Sequence, residues 1–159
     1  MQFSLSWRAL NALYNEAPRQ AVTLLGMAAG TLGTVKALYQ AIDDHKLAAI
    51  LARLDKNAIG DDFTQPGPVK GVQAAKKYMT AIFKAIPDLK QDITLQFAAG
   101  DLVVTEGYMH GTFKRRMGPM KPTNKPIGMH FVDIIQLKGG KVVETSSYGN
   151  SMEMMSPAK

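Results

Sequence analysis

Residues 128–144 read GMHFVDIIQLKGGKVVE, and this stretch decides the fold. Met129, Phe131, Asp133 and Ile135 alternate with His130, Val132, Ile134 and Gln136. A period of two in a run rich in Val and Ile predicts a strand. Gly139-Gly140 predicts a tight turn, and Val142-Val143 begins the return strand. Asp133 is the anomaly, because it shares its face with Met129, Phe131 and Ile135. A carboxylate among apolar side chains must be paired, opened to water or held protonated. The opposite face, with Val132 and Ile134, is equally apolar, so the strand must be covered on both sides. That predicts a homodimer through the sheet face, unless residues 1–32 fold over it.

Upstream of this stretch the same period recurs. Ile93, Leu95 and Phe97 alternate, Gly100-Asp101 turns, and Leu102–Phe113 returns. Between the hairpins lies Lys114–Lys125, with Lys114, Arg115, Arg116, Lys121 and Lys125 and no acid. A solvated loop is the plain reading, and contact with phosphate or another anionic substrate is the other. Nucleic acid is not expected, since no aromatic residues interleave with the charges. Further upstream the period becomes helical. Val35, Leu38, Tyr39 and Ile42 predict one helix, and Leu47, Ile50, Leu51 and Leu54 a second, with Asp44 as its N-cap. Asn57–Pro68 reads as a loop with at most a short strand before it. Gly71–Ile86 predicts a third helix with Val72, Ala75, Met79, Ile82 and Phe83 on one stripe, stopped by Pro87. Helices first and an antiparallel meander last give α+β, with helices on one face of a curved sheet.

Residues 1–32 are less regular. Phe3, Trp7, Leu10 and Tyr14 lie near helical spacing, Pro18 breaks it, and Ala21–Thr34 is an apolar run without charge. That run is short for a membrane span, and no transmembrane span is expected. The preferred reading is a helical arm packed on the domain or on a second subunit. A targeting segment is the alternative. The chain is accordingly expected to be cytoplasmic, or organelle-targeted or exported if 1–32 is a targeting segment. The domain proper is then 33–159.

The composition bounds the chemistry. A chain of 159 residues suits one domain with a real core. Hydrophobic content of 46% and charged content of 20% are globular values. There is no cysteine, which removes disulfides, thiol catalysis and thiolate metal sites. The three histidines show no metal-ligand spacing. A net charge of +6 favours acidic partners or surfaces.

Six segments together carry a resemblance: PGPVKG (66–71), PDL (87–89), GDLVV (100–104), HGTF (110–113), KPTNKPI (121–127) and HFVDIIQLKGGKVVE (130–144). In this order and spacing the chain resembles the SnoaL-like polyketide cyclase, or ester cyclase, group of the nuclear transport factor 2-like superfamily. The resemblance covers about residues 33–155. It implies a cone-shaped α+β barrel around a deep apolar pocket, usually in a dimer or larger assembly, working without metal or organic cofactor. It implies that Asp133 is the general acid/base of an intramolecular aldol closure, that His110 assists it, and that Tyr39 lines the pocket. The sequence departs from the pattern at Asp62 or Asp61, where many relatives have histidine, at Asn150, where close relatives often have aspartate, and in the basic run 114–116.

The residues agree with that chemistry. Aldol closure or a double-bond shift needs a base for a proton alpha to a carbonyl and a donor for the enolate oxygen. A carboxyl in an apolar pocket is tuned towards both roles. Asp133 and His110 are therefore the catalytic candidates, with Tyr39, Asp62, Met79, Tyr108, Met129, Phe131, Tyr148 and Asn150 lining the substrate pocket. The substrate expected is a hydrophobic, carbonyl-bearing small molecule. In a purely structural alternative, Asp133 bonds Tyr39, Tyr148 or His110 and ties sheet to helices. His130, of opposite parity, is expected to face an interface or the arm, and His45 to be an exposed loop residue. Two other functions stay open. One is a non-catalytic binding or oligomerisation module, favoured if Asp133 or His110 lies outside the cavity. The other is an epoxide hydrolase or dehydratase, which needs a second carboxylate or a histidine converging on Asp133, with Asp62 the evident candidate.

Overall fold

The computed structural model describes residues 29–62, 66–118 and 120–155. Helix α1 covers 29–43, followed by α2 (Leu47–Leu51), β1 (Leu54–Asp62), β2 (Val69–Lys70) and α3 (Gly71–Ala85). Then come β3 (Lys90–Ala99), β4 (Leu102–Thr112), β5 (Pro126–Lys138), β6 (Lys141–Gly149) and the short α4 (Ser151–Met155). The strands form one curved, unclosed sheet in the order β2-β1-β6-β5-β4-β3. Every neighbouring pair is antiparallel except β1 and β6, which run parallel.

The local causes are visible. Gly139 and Gly140 take φ of 57° and 73°, the left-handed pair that a two-residue hairpin turn requires. Register shifts at Ile93/Leu95, Gln136/Leu137 and Leu54/Ile59 bend the strands they interrupt. The helices lie against the inner face. Val35, Leu38, Tyr39 and Ile50 pack there on Val103, Phe131, Ile135, Leu137 and Val142. A second cluster of Ala85, Ile86, Leu89, Phe113 and Ile127 ties the end of α3 to the ends of β4 and β5.

Several expectations are corrected. β1 occupies nine residues that read as mostly loop, because its ladder with β6 outweighs the polar composition of LDKNAIGDD. Leu54 belongs to that strand and not to α2. Asp44 does not cap α2, since its carboxylate accepts from Lys46 Nζ and Gln40 Nε2 instead. His45 is not a free loop residue. It sits at φ 55°, stacks on Phe83 at 4.4 Å between ring centroids, and meets the Leu89 carbonyl at 3.3 Å. The barrel is open, with β2 and β3 as edges. Of the expected arm, residues 1–28 lie outside the described residues, and 29–32 are the beginning of α1. Among the described residues, no helix is long and apolar enough to cross a membrane.

Candidate active site

Asp133 points from β5 into a cavity of about 260 Å³ between the sheet and the helices. Its inner-face neighbours in register are Thr105 of β4 and Ser147 of β6. Ser147 is in turn opposite Asp62 of β1, and Thr105 opposite Gln96 of β3. One polar row thus crosses an otherwise apolar face: Gln96, Thr105, Asp133, Ser147, Asp62. The cavity wall around it includes Leu38, Met79, Ile82, Met129 and Phe131.

Two phenols reach this row from the helices. Tyr39 of α1 donates to Asp133 Oδ2 at 2.5 Å. Tyr78 of α3 donates to Asp62 Oδ2 at 2.7 Å. Burial raises the Asp133 pKa, and the charge of Asp62 raises it further. The hydrogen bond from Tyr39 and the neighbouring Ser147 hydroxyl pull the other way, but burial is the larger effect. Burial also raises both phenols, and the carboxylate each one meets adds to it. The protons of Tyr39 and Tyr78 are therefore held firmly. They are available as hydrogen-bond donors and are not lost to solvent.

The candidates named from the sequence divide in two. Asp133, Tyr39, Asp62, Met79, Met129 and Phe131 all line the cavity. Tyr148 touches only its rim, because it pairs with Val132 on the outer face and is 48% exposed. His110, Tyr108 and Asn150 do not line it. His110 pairs across the ladder with Gly128, so it projects from the outer face, where Nε2 meets Asp92 at 3.3 Å. It is not brought to Asp133. Tyr108 is on the same outer face, lying over Gly128 and against His130 at 4.7 Å between ring centroids. Asn150 donates to Glu153 of α4. His130 also faces outward, and its backbone N–H and Nδ1 both hold Glu153.

Sequence reasoning missed Tyr78, Thr105 and Ser147. Tyr78 had a signal, because it lies three residues after Ala75 and four before Ile82 on the apolar stripe of α3. Thr105 and Ser147 had none, since only the register places them beside Asp133. Among the described residues, no three His, Asp or Glu side chains are grouped to hold a metal ion. What the site offers is a carboxyl tuned upward by burial, a second carboxylate nearby, and two phenol donors in an apolar cavity.

A family model of SnoaL-like polyketide cyclases matches residues 33–156. No curated protein matches the chain. Among solved structures, a provisionally assigned SnoaL-like polyketide cyclase from Jannaschia sp. CCS1 superposes with a TM-score of 0.73 at 16% identity, over 83% of this chain and 96% of that one. IdmH from Streptomyces antibioticus, provisionally named a polyketide cyclase, gives 0.66 at 19%, over 79% and 95%. An LEH-like epoxide hydrolase from M. tuberculosis gives 0.67 at 13%, over 80% and 88%. At these identities the likeness is one of fold.

Proposed function

The chain belongs to the SnoaL-like polyketide cyclase family, and from that premise we propose that it is an enzyme of the cyclase or isomerase type, acting by general acid/base chemistry on a hydrophobic, carbonyl-bearing small molecule. The observation that carries the reading is the buried Asp133 carboxyl, held by the Tyr39 phenol at 2.5 Å in an apolar cavity. Asp133 takes a proton from carbon alpha to the carbonyl and returns it to the product. A phenol donor supports the negative charge on the oxygen meanwhile, and Tyr39 and Tyr78 are the two at hand. The proton moves between two atoms of the substrate by way of one carboxyl, so the cycle balances within the active site.

The test is wash-in of deuterium from D2O, at the carbon alpha to the carbonyl, into ligands that co-purify with the protein and are identified by native mass spectrometry. Wild type should catalyse it, and Asp133→Asn should lose at least about 100-fold. Equal exchange in both proteins would sink the reading.

A second reading is a pocket that only binds. The placement of His110 outside the cavity favours it. The same ligand, unaltered, in wild type and D133N would select it. The approach of Asp62 to Asp133 is what water addition to an epoxide requires, and incorporation of 18O from water into a product diol would mark that reaction instead.

The outer sheet face supports a homodimer. Phe97, Val104 and Ile134 are in register across β3, β4 and β5 on that face, and Leu95 and Leu102 flank them. Leu95 and Phe97 are 49% and 47% exposed. A second copy of the chain covers such a row with an identical one.

A further inference from the structure

We infer that Gln91 sets the substrate class: its carboxamide, at the end of the cavity remote from Asp133, accepts a hydrogen bond from a hydroxyl or N–H group at the far end of the ligand. Gln91 stands on the inner face of β3 opposite Met109, which stands opposite Met129 of β5, and all three line the cavity. The rest of that end is apolar, built by Ile42, Ile82 and Leu89. Leu89 belongs to the second core cluster, so the cavity ends there against packed side chains. In this apolar setting Gln91 Oε1 is buried, and among the described residues it has no hydrogen-bond partner. The other buried oxygen of this kind, Asp43 Oδ1, belongs to the wall of a separate cleft between α1 and β3.

A buried acceptor without a donor is a cost to the fold that an apolar side chain would not carry. A ligand that brings a donor removes the cost. A ligand that brings only carbon shuts the oxygen off from water and leaves it unpaired, so it binds less well. One acceptor in an apolar end therefore acts as a filter. The register gives the spacing. The row of Gln91, Met109 and Met129 lies four residues along β4 and β5 from the row of Thr105 and Asp133, which is roughly 13 Å at the usual rise of a strand. Between the two rows the wall is Phe131 from the sheet and Met79 from α3. The ligand that fits is slender and apolar in its middle, with its carbonyl at Asp133 and a hydrogen-bond donor at Gln91.

This inference rests on the reading of the cavity as a site for carbonyl compounds. The probes are 6-hydroxy-2-acetylnaphthalene and 2-acetylnaphthalene, which carry the same ketone and differ only in the distal hydroxyl. Their affinities for the full-length protein are measured by titration calorimetry. Wild type should prefer the hydroxylated probe by at least about fivefold. Gln91→Met keeps the length of the side chain without its polar atoms, and should bring that ratio to about one. It should also melt roughly 2–4 °C higher than wild type, because the unpaired acceptor is gone. Gln91→Leu takes its place if Q91M fails to fold. Equal affinities in wild type, a preference that survives in Q91M, or no binding of either probe below about 1 mM would overturn the assignment. A Q91M that melts lower with the ratio unchanged would show a structural role instead. The ratio is read without turnover, so the two readings fail separately. Deuterium wash-in that fails with the preference intact removes the role of Asp133 and leaves that of Gln91, and the reverse removes that of Gln91 alone.

Discussion

Asp62 and Asp133 stand on the same inner face two strands apart, with Ser147 in register between them. The charge of Asp62 raises the pKa of Asp133, and the Tyr78 phenol holds Asp62 at 2.7 Å. Removing that charge tests the coupling. Asp62→Asn should lower the Asp133 pKa by a few tenths of a unit to about one unit, as for like charges in a shared site. Carboxyl 13C titration reads it directly. An unchanged Asp133 titration would mean that the two groups do not sense one another.

Asp133 also sets a pH dependence of stability. Its pKa in the folded protein lies above the ordinary value of 3.8, chiefly through burial. Between the unfolded and the folded pKa the native state therefore holds more proton than the unfolded one, and stability falls as pH rises. The contribution is fully favourable below 3.8 and is lost as pH climbs through the folded pKa. Asp133→Asn removes this penalty and keeps a group that accepts from Tyr39. We expect D133N to be more stable than wild type at pH 8, by about 1–3 kcal/mol. The gap should close towards pH 4, as read by denaturant melts across that range. A gap that did not vary with pH would contradict the assignment.

The sequence exposed Asp133 and hid its neighbours for a physical reason. A period of two tells which residues of one strand share a face, and this singled out Asp133 among Met129, Phe131 and Ile135. It does not tell which face of the next strand is inside, because that depends on long-range register. Within β4 the pairing puts Thr105 opposite Asp133 and His110 opposite Gly128, so Thr105 is inside and His110 outside. The resemblance to the family set the histidine beside the aspartate, and the ladder does not. β1 was hidden by composition, since Asn57 and Asp61-Asp62 read as loop until β6 supplies a parallel partner. The helices were legible because their apolar stripes are local, and α3 was read to within one residue of its end.

A charge on the outer face should break the proposed dimer. Phe97 is the aromatic of the exposed row, and it faces Val104 in register, which faces Ile134. Phe97→Asp puts carboxylates against apolar surface at both copies if the face is an interface. Sedimentation at micromolar concentration should show wild type as a dimer and F97D as a monomer with unchanged circular dichroism. A monomeric wild type would refute the dimer.

The short α4 is held by one carboxylate. Glu153 accepts from the His130 backbone N–H at 2.8 Å, from His130 Nδ1 at 3.0 Å and from Asn150 Nδ2 at 3.0 Å. The first two bonds keep its pKa below the usual value of 4.5. The stability it contributes is thus present above 4.5 and lost as pH falls through its lowered folded pKa. Glu153→Gln should speed amide exchange of residues 151–155 several-fold at pH 7, and wild type should approach the variant in acid. Equal protection in both proteins at pH 7 would show that α4 docks by Met154 alone, which packs on the second core cluster.

Gly107 leaves no room for a side chain. It lies on β4 two residues after Thr105, opposite Phe131, whose ring forms part of the cavity wall. A Cβ there would stand 2.7 Å from the Asp92 carbonyl oxygen and 2.9 Å from the Phe131 ring. Neither approach is tolerable, and the two differ in what can yield. The carbonyl belongs to the β3–β4 ladder and moves only with the backbone, whereas the ring borders open space in the cavity and can turn into it. Gly107→Ala should therefore destabilise by about 1–3 kcal/mol, as overpacking does, while reducing the volume beside Asp133. Phe131→Leu in the same chain gives the added methyl room on the ring side and should recover part of the stability. If the double variant melts no higher than G107A, the backbone clash with β3 carries the whole effect. Ligand occupancy by native mass spectrometry should fall in G107A and rise again in the double variant, because the same ring limits both packing and capacity.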